Sequence, residues 1–422
     1  MARNALDEGK SNEQLLAERQ QRLDDALELK QPDRIPINMP AGYLLAEYGG
    51  VSHAVQQHDK EKAQELLEAF ALEFEPDTVI GLFNNPGPSL ALGDRMTRWP
   101  GVQLPDSGSF QFDEHEFMKA EDYDDFLDDP SDWAIRTYLP RAFENLEGFK
   151  HLPPFLMWAF GHYHLANLPM YAAPPVQESL EALGEAIQAA LKDAAATNAS
   201  MERMAALGFP PTFLAGALIE APFDFMSDTL RGMRGIMLDI LRRPEKLLAA
   251  EERALKYQLE FAIGFCQATG LKRAFIPLHR GSDGFMSLAQ FERFYWPQLK
   301  EMMVTLVDHD IMPICFYEGV WDQRLEYLAE LPKGKTAGWF QRSDIFKVKD
   351  VVGDTLCIIG GIRNSLLKRG TVEEVRATTR EVCERVGEGG GFIMSTGVGE
   401  MEGSDLELVR AWADATREFG VY

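Results

Sequence analysis

Eight stretches of the chain are short, continuous apolar runs: "RIPINMP" (34–40), "DTVIGLF" (77–83), "TFLAGALIE" (212–220), "RAFIPLH" (273–279), "MPICFYE" (312–318), "TAGWF" (336–340), "TLCIIGGI" (355–362) and "GFIMSTG" (391–397). None alternates apolar with polar residues, so each fits a parallel strand covered on both faces. Between them lie amphipathic helical patterns with start signals. Ser287 with Gln290, Thr371 with Glu374 and Ser404 with Glu407 each have the spacing of a capping box, in which two side chains satisfy free backbone N–H groups. Gly389–Gly391 ends the helix that starts near Thr371.

Eight strands alternating with helices predict an α/β fold of (β/α)8 TIM-barrel type. A doubly wound sheet competes, but it wants a Gly-rich phosphate fingerprint that the sequence lacks. Residues 1–30 form a helical extension and 31–422 a single barrel domain. The span 84–211 is too long for a plain connection. It is expected as a large insertion after the second strand, covering the barrel mouth or building an interface.

Charge narrows the partners. The chain has 42 basic against 66 acidic residues and a formal charge of −24, leaving no basic excess for nucleic acid or an anionic membrane. Much of the acidity sits in "DEHEFMKAEDYDDFLDDPSD" (113–132), read as a solvated loop and helix face. The four cysteines, Cys266, Cys315, Cys357 and Cys383, lie far apart, a pattern of reduced thiols. No apolar stretch approaches the length of about 20 residues that spans a bilayer. A cytoplasmic location is expected.

In a barrel, chemistry sits where strands end and in the loops that follow. Those positions are Asn38 and Tyr43; Asn84 and Asn85; Glu220 and Asp224; His279, Arg280 and Asp283; Cys315, Tyr317 and Glu318; Gln341, Arg342 and Asp344; Arg363 and Asn364; and Thr396 and Glu400. His279, in the Gly-flanked "PLHRGSDGF", is a candidate general base or metal ligand. Glu318, before Gly319, is a candidate acid or oxygen ligand, or else a salt-bridge partner of Arg324. Cys315 offers a soft sulfur to zinc, or is a small buried hydrophobe. His162 and His164 would share one face if their segment were a strand.

Several segments in order resemble the uroporphyrinogen decarboxylase superfamily: "RIPINMPAGYLLAEYGG", "FLAGALIEAPFDFMSDTLRGMRGIMLDILRRPEKL", "GSDGFMSLAQFERFYWPQLKEMM", "PICFYEGVWDQRLEYLAELPKG" and "GGFIMSTGVGEMEGSDLELVRAWADATREFG". The resemblance implies a (β/α)8 barrel and two candidate chemistries. True decarboxylases carry an arginine-bearing segment near the first strand for the substrate carboxylates. Here that stretch reads "NMPAGY" (38–43), without arginine, and the family's C-terminal histidine has no counterpart in "MSTGVGE". An octacarboxylate needs many cationic partners, so tetrapyrrole decarboxylation is disfavoured.

The resemblance is nearer to the branch that moves methyl groups to or from a corrinoid protein. Members with zinc hold it by His-x-Cys on one strand and a later Cys. Here "PIC" sets Pro313 at the histidine position and Cys315 at the first cysteine, and Ser395–Gly397, where the later cysteine would fall, holds none. The expected function is therefore a corrinoid-dependent methyltransferase of O-demethylase type. It would take a methyl group from a small donor, such as a methoxylated aromatic, to corrinoid (cobalamin) on a partner protein. Glu318, His279 and Asp283 are the expected catalytic residues. Tyr43, Trp158, Phe160, Phe316, Tyr317, Trp321, Trp339 and Arg342 would line the substrate pocket, and Cys315, Glu318 and His279 would hold any zinc. A homodimer is expected by the same resemblance. The alternatives are a decarboxylase or lyase of a small acid held by Arg280, Arg342 and Arg363, and a non-catalytic binding protein on the same barrel.

Overall fold

The computed structural model describes residues 6–82, 85–159, 161–162, 166, 168–397 and 401–422. The chain divides into two compact units. The first contains 1–83, 199–224 and 255–422; the second contains 84–198 and 225–254.

All eight apolar runs supply parallel strands of the first unit. They are β1 (Asn38–Pro40), β2 (Thr78–Ile80), β3 (Ala217–Leu218), β4 (Arg273–Leu278), β5 (Met312–Tyr317), β6 (Ala337–Phe340), β7 (Cys357–Gly361) and β8 (Phe392–Ser395). Strands β3 to β8 pair in chain order as one six-stranded parallel sheet, and β1 pairs with β2. A parallel bridge from Ile37 to Met394 joins β1 to β8. Between β2 and β3 no ladder forms among the described residues, and Ile80, Phe213 and Leu214 share the core instead. Strand number, direction and order are those of the (β/α)8 barrel.

The barrel interior is packed with apolar side chains. Ile314 and Phe316 of β5, Ala337 and Trp339 of β6, Cys357 and Ile359 of β7 and Ile393 of β8 form one buried cluster. Inward positions recur at every second residue, as the pleat requires. Helix α1 (Asn12–Leu27) starts with a capping box from Ser11 and Gln14, and it adds Leu23, Ala26 and Leu27 to this cluster. The N-terminal extension is thus part of the barrel core.

At the N-terminal ends of β1 and β2, Asp77 is fully buried. It accepts from Arg22 of α1 at 2.5 Å, from Arg34 at 2.7 and 2.9 Å and from the backbone of Ile37 at 2.8 Å. Burial alone would raise its pKa, but Arg34 and Arg22 outweigh that and hold the carboxyl well below the usual carboxylate range.

Two capping boxes form as expected, at Ser287 and at Thr371. The third does not: the cap of Leu406–Phe419 is Asp405, whose carboxylate accepts from Glu407, one residue later than Ser404. Aspartate caps as well as serine does, so local spacing could not separate them.

The second unit begins after β2, where the insertion was expected. Its boundary falls at Asn198, within the helix Pro174–Ala206, rather than at Pro211, and 225–254 joins it. The acidic run is only partly a solvated face. Asp122 and Tyr123 are buried, Arg141 pairs with Asp122, and the Tyr123 hydroxyl donates to Asp239 at 2.9 Å. Buried Arg231 binds Asp239 at 2.5 Å and Glu116 at 2.6 Å. Acidic side chains here hold helices together around two buried arginine-facing anchors.

Candidate active site

Register decides which strand-end residues meet. In the β4–β5 ladder Leu278 lies opposite Tyr317, so the next residues, His279 and Glu318, emerge side by side at the C-terminal ends of adjacent strands. His279 Nε2 lies 3.6 Å from Glu318 Oε2, and both side chains keep substantial exposure, 32% and 47%. Both were strand-end candidates in the sequence, which did not show that they meet.

The backbone beneath the pair is fixed from several sides. Buried Asp224, in the loop after β3, accepts from the backbone N–H of His279 at 2.9 Å and of Arg280 at 3.0 Å. It also accepts from the Tyr295 hydroxyl at 2.6 Å. Beyond Glu318, Gly319 donates to Gln341 Oε1 at 2.7 Å, and Trp321 Nε1 donates to the Glu318 carbonyl at 2.8 Å. Gly319 has φ +77°, which an L side chain rarely adopts, and a Cβ at Gly281 would sit 2.2 Å from Trp321. The two loops are therefore rigid while the His279 and Glu318 side chains reach water. Such a pair can relay a proton or accept one from a polar group placed between its members.

The other expected residues lie elsewhere. Asp283 is mostly buried, 3.5 Å from Arg324 Nη1, and accepts from the Gln323 backbone at 3.0 Å. Burial raises its carboxyl pKa. Arg324 also donates to the Met286 carbonyl at 2.7 Å, so it serves the Asp283 loop and not Glu318.

Cys315 does not meet His279 and Glu318. Ile314 and Phe316 point inward, so Cys315 points out onto the helical layer, its sulfur 3.7 Å from Met303 Sδ. Burial pushes its thiol up to about 12, the wrong direction for a thiolate ligand. Among the described residues Cys315, Glu318 and His279 do not gather within ligand distance of one another.

The aromatic residues expected to line one pocket are dispersed. Tyr317 faces outward, stacked on Phe340 at 4.7 Å, and Trp321 packs on Tyr295 and Phe291. Phe316 and Trp339 fill the barrel interior, with Trp339 Nε1 donating to the Thr396 carbonyl at 2.6 Å. Tyr43 is buried and bonds Gln57. Trp158 is in the second unit, 2.6 Å from the Tyr171 hydroxyl. Phe160, His164, Asn84 and Glu400 lie outside the described residues, and His162 sits in a helical turn rather than a strand.

Arg342 is exposed. A cavity of about 490 Å³ opens beside β6 and β7, lined by Phe340, Gln341, Ser343, Arg363, Leu366 and Arg369. Two roles escaped the sequence reading. Asp224 was recognisable as a strand-end acid but not as the clamp on His279, because its three donors come from distant segments. Asn38 is buried in β1 and donates to Ser395 Oγ of β8 at 2.9 Å.

Among the described residues no helix is long and apolar enough to cross a membrane. A search of curated proteins gives no match. Among solved structures, a methyltransferase from Methanosarcina mazei has the same fold, with a TM-score of 0.58 and 16% identity over 95% of this chain and 98% of that one. The sequence profile of uroporphyrinogen decarboxylase (URO-D) matches residues 163–419, more than half of the chain. This chain belongs to the uroporphyrinogen decarboxylase family.

Proposed function

We propose that the protein is a methyltransferase that moves a methyl group from a small methoxylated donor to the cobalt of a separate corrinoid protein. The observation that carries this reading is the His279–Glu318 pair, 3.6 Å apart and open to water above a rigid backbone. Demethylation of an ether leaves an alkoxide or phenolate, which is a poor leaving group unless protonated. Glu318 is the proton donor in this reading, and His279 beside it restores the proton.

The first strand supports the same direction. Asn38–Tyr43, where the decarboxylases of the family carry arginine, is buried and contains none. A porphyrinogen's carboxylates would find no cation there. Activity is tested by mixing the protein with a reduced corrinoid protein and a panel of methoxylated compounds. A methyl–Co(III) spectrum is expected with at least one donor, with its rate cut about 100-fold or more in Glu318→Gln. No spectrum with any donor, or full activity in Glu318→Gln, overturns the reading.

A second reading, decarboxylation or lysis of a small acid, draws on the cavity beside β6 and β7. Its Arg363 and Arg369 are exposed and have no ion-pair partner among the described residues. Carbon dioxide release from a carboxylic acid, lost in Arg363→Ala, would favour it over methyl transfer.

A further inference from the structure

Two short helices follow β1. Helix α2 (Leu44–Gly49) carries Glu47, and α3 (His53–His58) begins with His53 behind the Ser52 cap. They are locked together by buried Gln56, which accepts from the Ala46 backbone and donates to the Gly42 carbonyl, both at 2.9 Å. The loop after β8 brings in Glu402, and the Gly403 N–H donates to Glu47 Oε2 at 2.8 Å. The ligand atoms of Glu47, His53 and Glu402 all lie within 4.8 Å of one another. No other group of three His, Cys, Asp or Glu among the described residues comes this close.

Proximity of acids alone would mean little, but His53 differs from a surface histidine. It is only 6% exposed, and its buried Nδ1 has no hydrogen-bond partner among the described residues. A buried polar atom left without a partner is destabilising, so such atoms call for an explanation. The ring is held in place by Tyr43, stacked at 4.4 Å, whose hydroxyl is fixed by Gln57 at 2.6 Å. Two carboxylates beside an imidazole whose buried Nδ1 is unpartnered among the described residues form a donor set suited to a cation. Lys368 approaches the same loop from outside, its Nζ 3.5 Å from the Cβ position of Gly403.

We propose that Glu47, His53 and Glu402 bind a divalent first-row transition ion. Nitrogen with two carboxylate oxygens suits zinc or manganese better than calcium or magnesium, which take oxygen donors alone. Closing the set onto an ion requires the donor atoms to approach to roughly 3–4 Å, the separation set by metal bonds of about 2.0–2.2 Å. Exposed Glu47 has room for that movement. Three protein ligands leave at least one position open, the mark of a site that works on a bound molecule. The site lies in loops after β1 and β8, at the C-terminal end of the barrel where (β/α)8 enzymes work. It shares no residue with the metal set expected around Cys315, and it does not depend on which reaction the protein performs.

The test is metal binding by the full chain. Protein stripped with a chelator and dialysed is titrated with Zn²⁺ and with Mn²⁺ by calorimetry, and its metal content is measured after gel filtration. One equivalent is expected to bind. His53→Ala and Glu402→Gln are each expected to weaken binding at least about tenfold, since even outer-shell changes cost that much at metal sites. Cys315→Ala is expected to keep it. Glu402 lies on an open loop, so its variant separates ligand loss from misfolding, with circular dichroism as the check. No saturable binding of either ion, unchanged affinity in both ligand variants, or loss of binding in Cys315→Ala overturns the proposal.

Discussion

Two acidic groups at opposite ends of the barrel show what burial does to one functional group. Asp77, at the N-terminal ends of the strands, is sealed and surrounded by Arg22, Arg34 and a backbone N–H. Glu318, at a C-terminal end, has a side chain that is 47% exposed and lies 3.6 Å from His279. The first is committed entirely to the protein. The second leaves its oxygens free for something else, and this division between a structural end and a working end is general in (β/α)8 barrels. Asp224 stands between them: buried like Asp77, but spending its hydrogen bonds on the backbone of His279.

The contrast can be broken in order of size. Asp77→Asn is expected to destabilise the protein most, by about 3–5 kcal/mol, because it takes the counter-charge from buried Arg34 and leaves buried Arg22 with Asp33 alone. Urea denaturation measures this. The wild-type contribution follows from a folded pKa held below that of the unfolded chain. It is fully present above the unfolded value of about 3.9 and is lost as pH falls through the lower folded value. Stability measured from pH 6 downward is expected to lose that part of its slope in Asp77→Asn. Asp224→Asn is expected to cost less, about 1–3 kcal/mol, since it removes an acceptor rather than a pair of buried charges. It should also lower activity by loosening His279, and it fails as a clamp if activity is unchanged at full folding. Glu318→Gln is expected to shift stability by less than about 0.5 kcal/mol, as an exposed pair contributes little. A large loss there would put Glu318 with Asp77 as a structural residue.

Strand positions were legible because parallel barrel strands are apolar on both faces and stand out as unbroken runs. That same property hid which face each residue takes. In Met312–Tyr317 every residue is apolar or weakly polar, so the pattern offers no sign that Phe316 points inward while Cys315 and Tyr317 point to the helices. A one-residue difference reverses the face, and it removed Cys315 and Tyr317 from the expected site. His279 and Glu318 were legible for the opposite reason. Each is the first polar residue after its apolar run, and neighbouring strands ending in register bring such residues together. Glu47, His53 and Glu402 could not be foreseen, since two helices and a loop more than 340 residues away in sequence must meet first.

Helix α1 imposes an order on biosynthesis. It leaves the ribosome before any strand, yet the surface that buries Leu23, Ala26 and Leu27 includes residues of β5 to β8. Its arginine Arg22 also waits for Asp77. Until the segment around Ile393 has been made, the helix exposes part of its apolar stripe. Folding of this barrel therefore finishes at the beginning of the chain, and a nascent chain arrested before β8 is expected to expose α1 to protease.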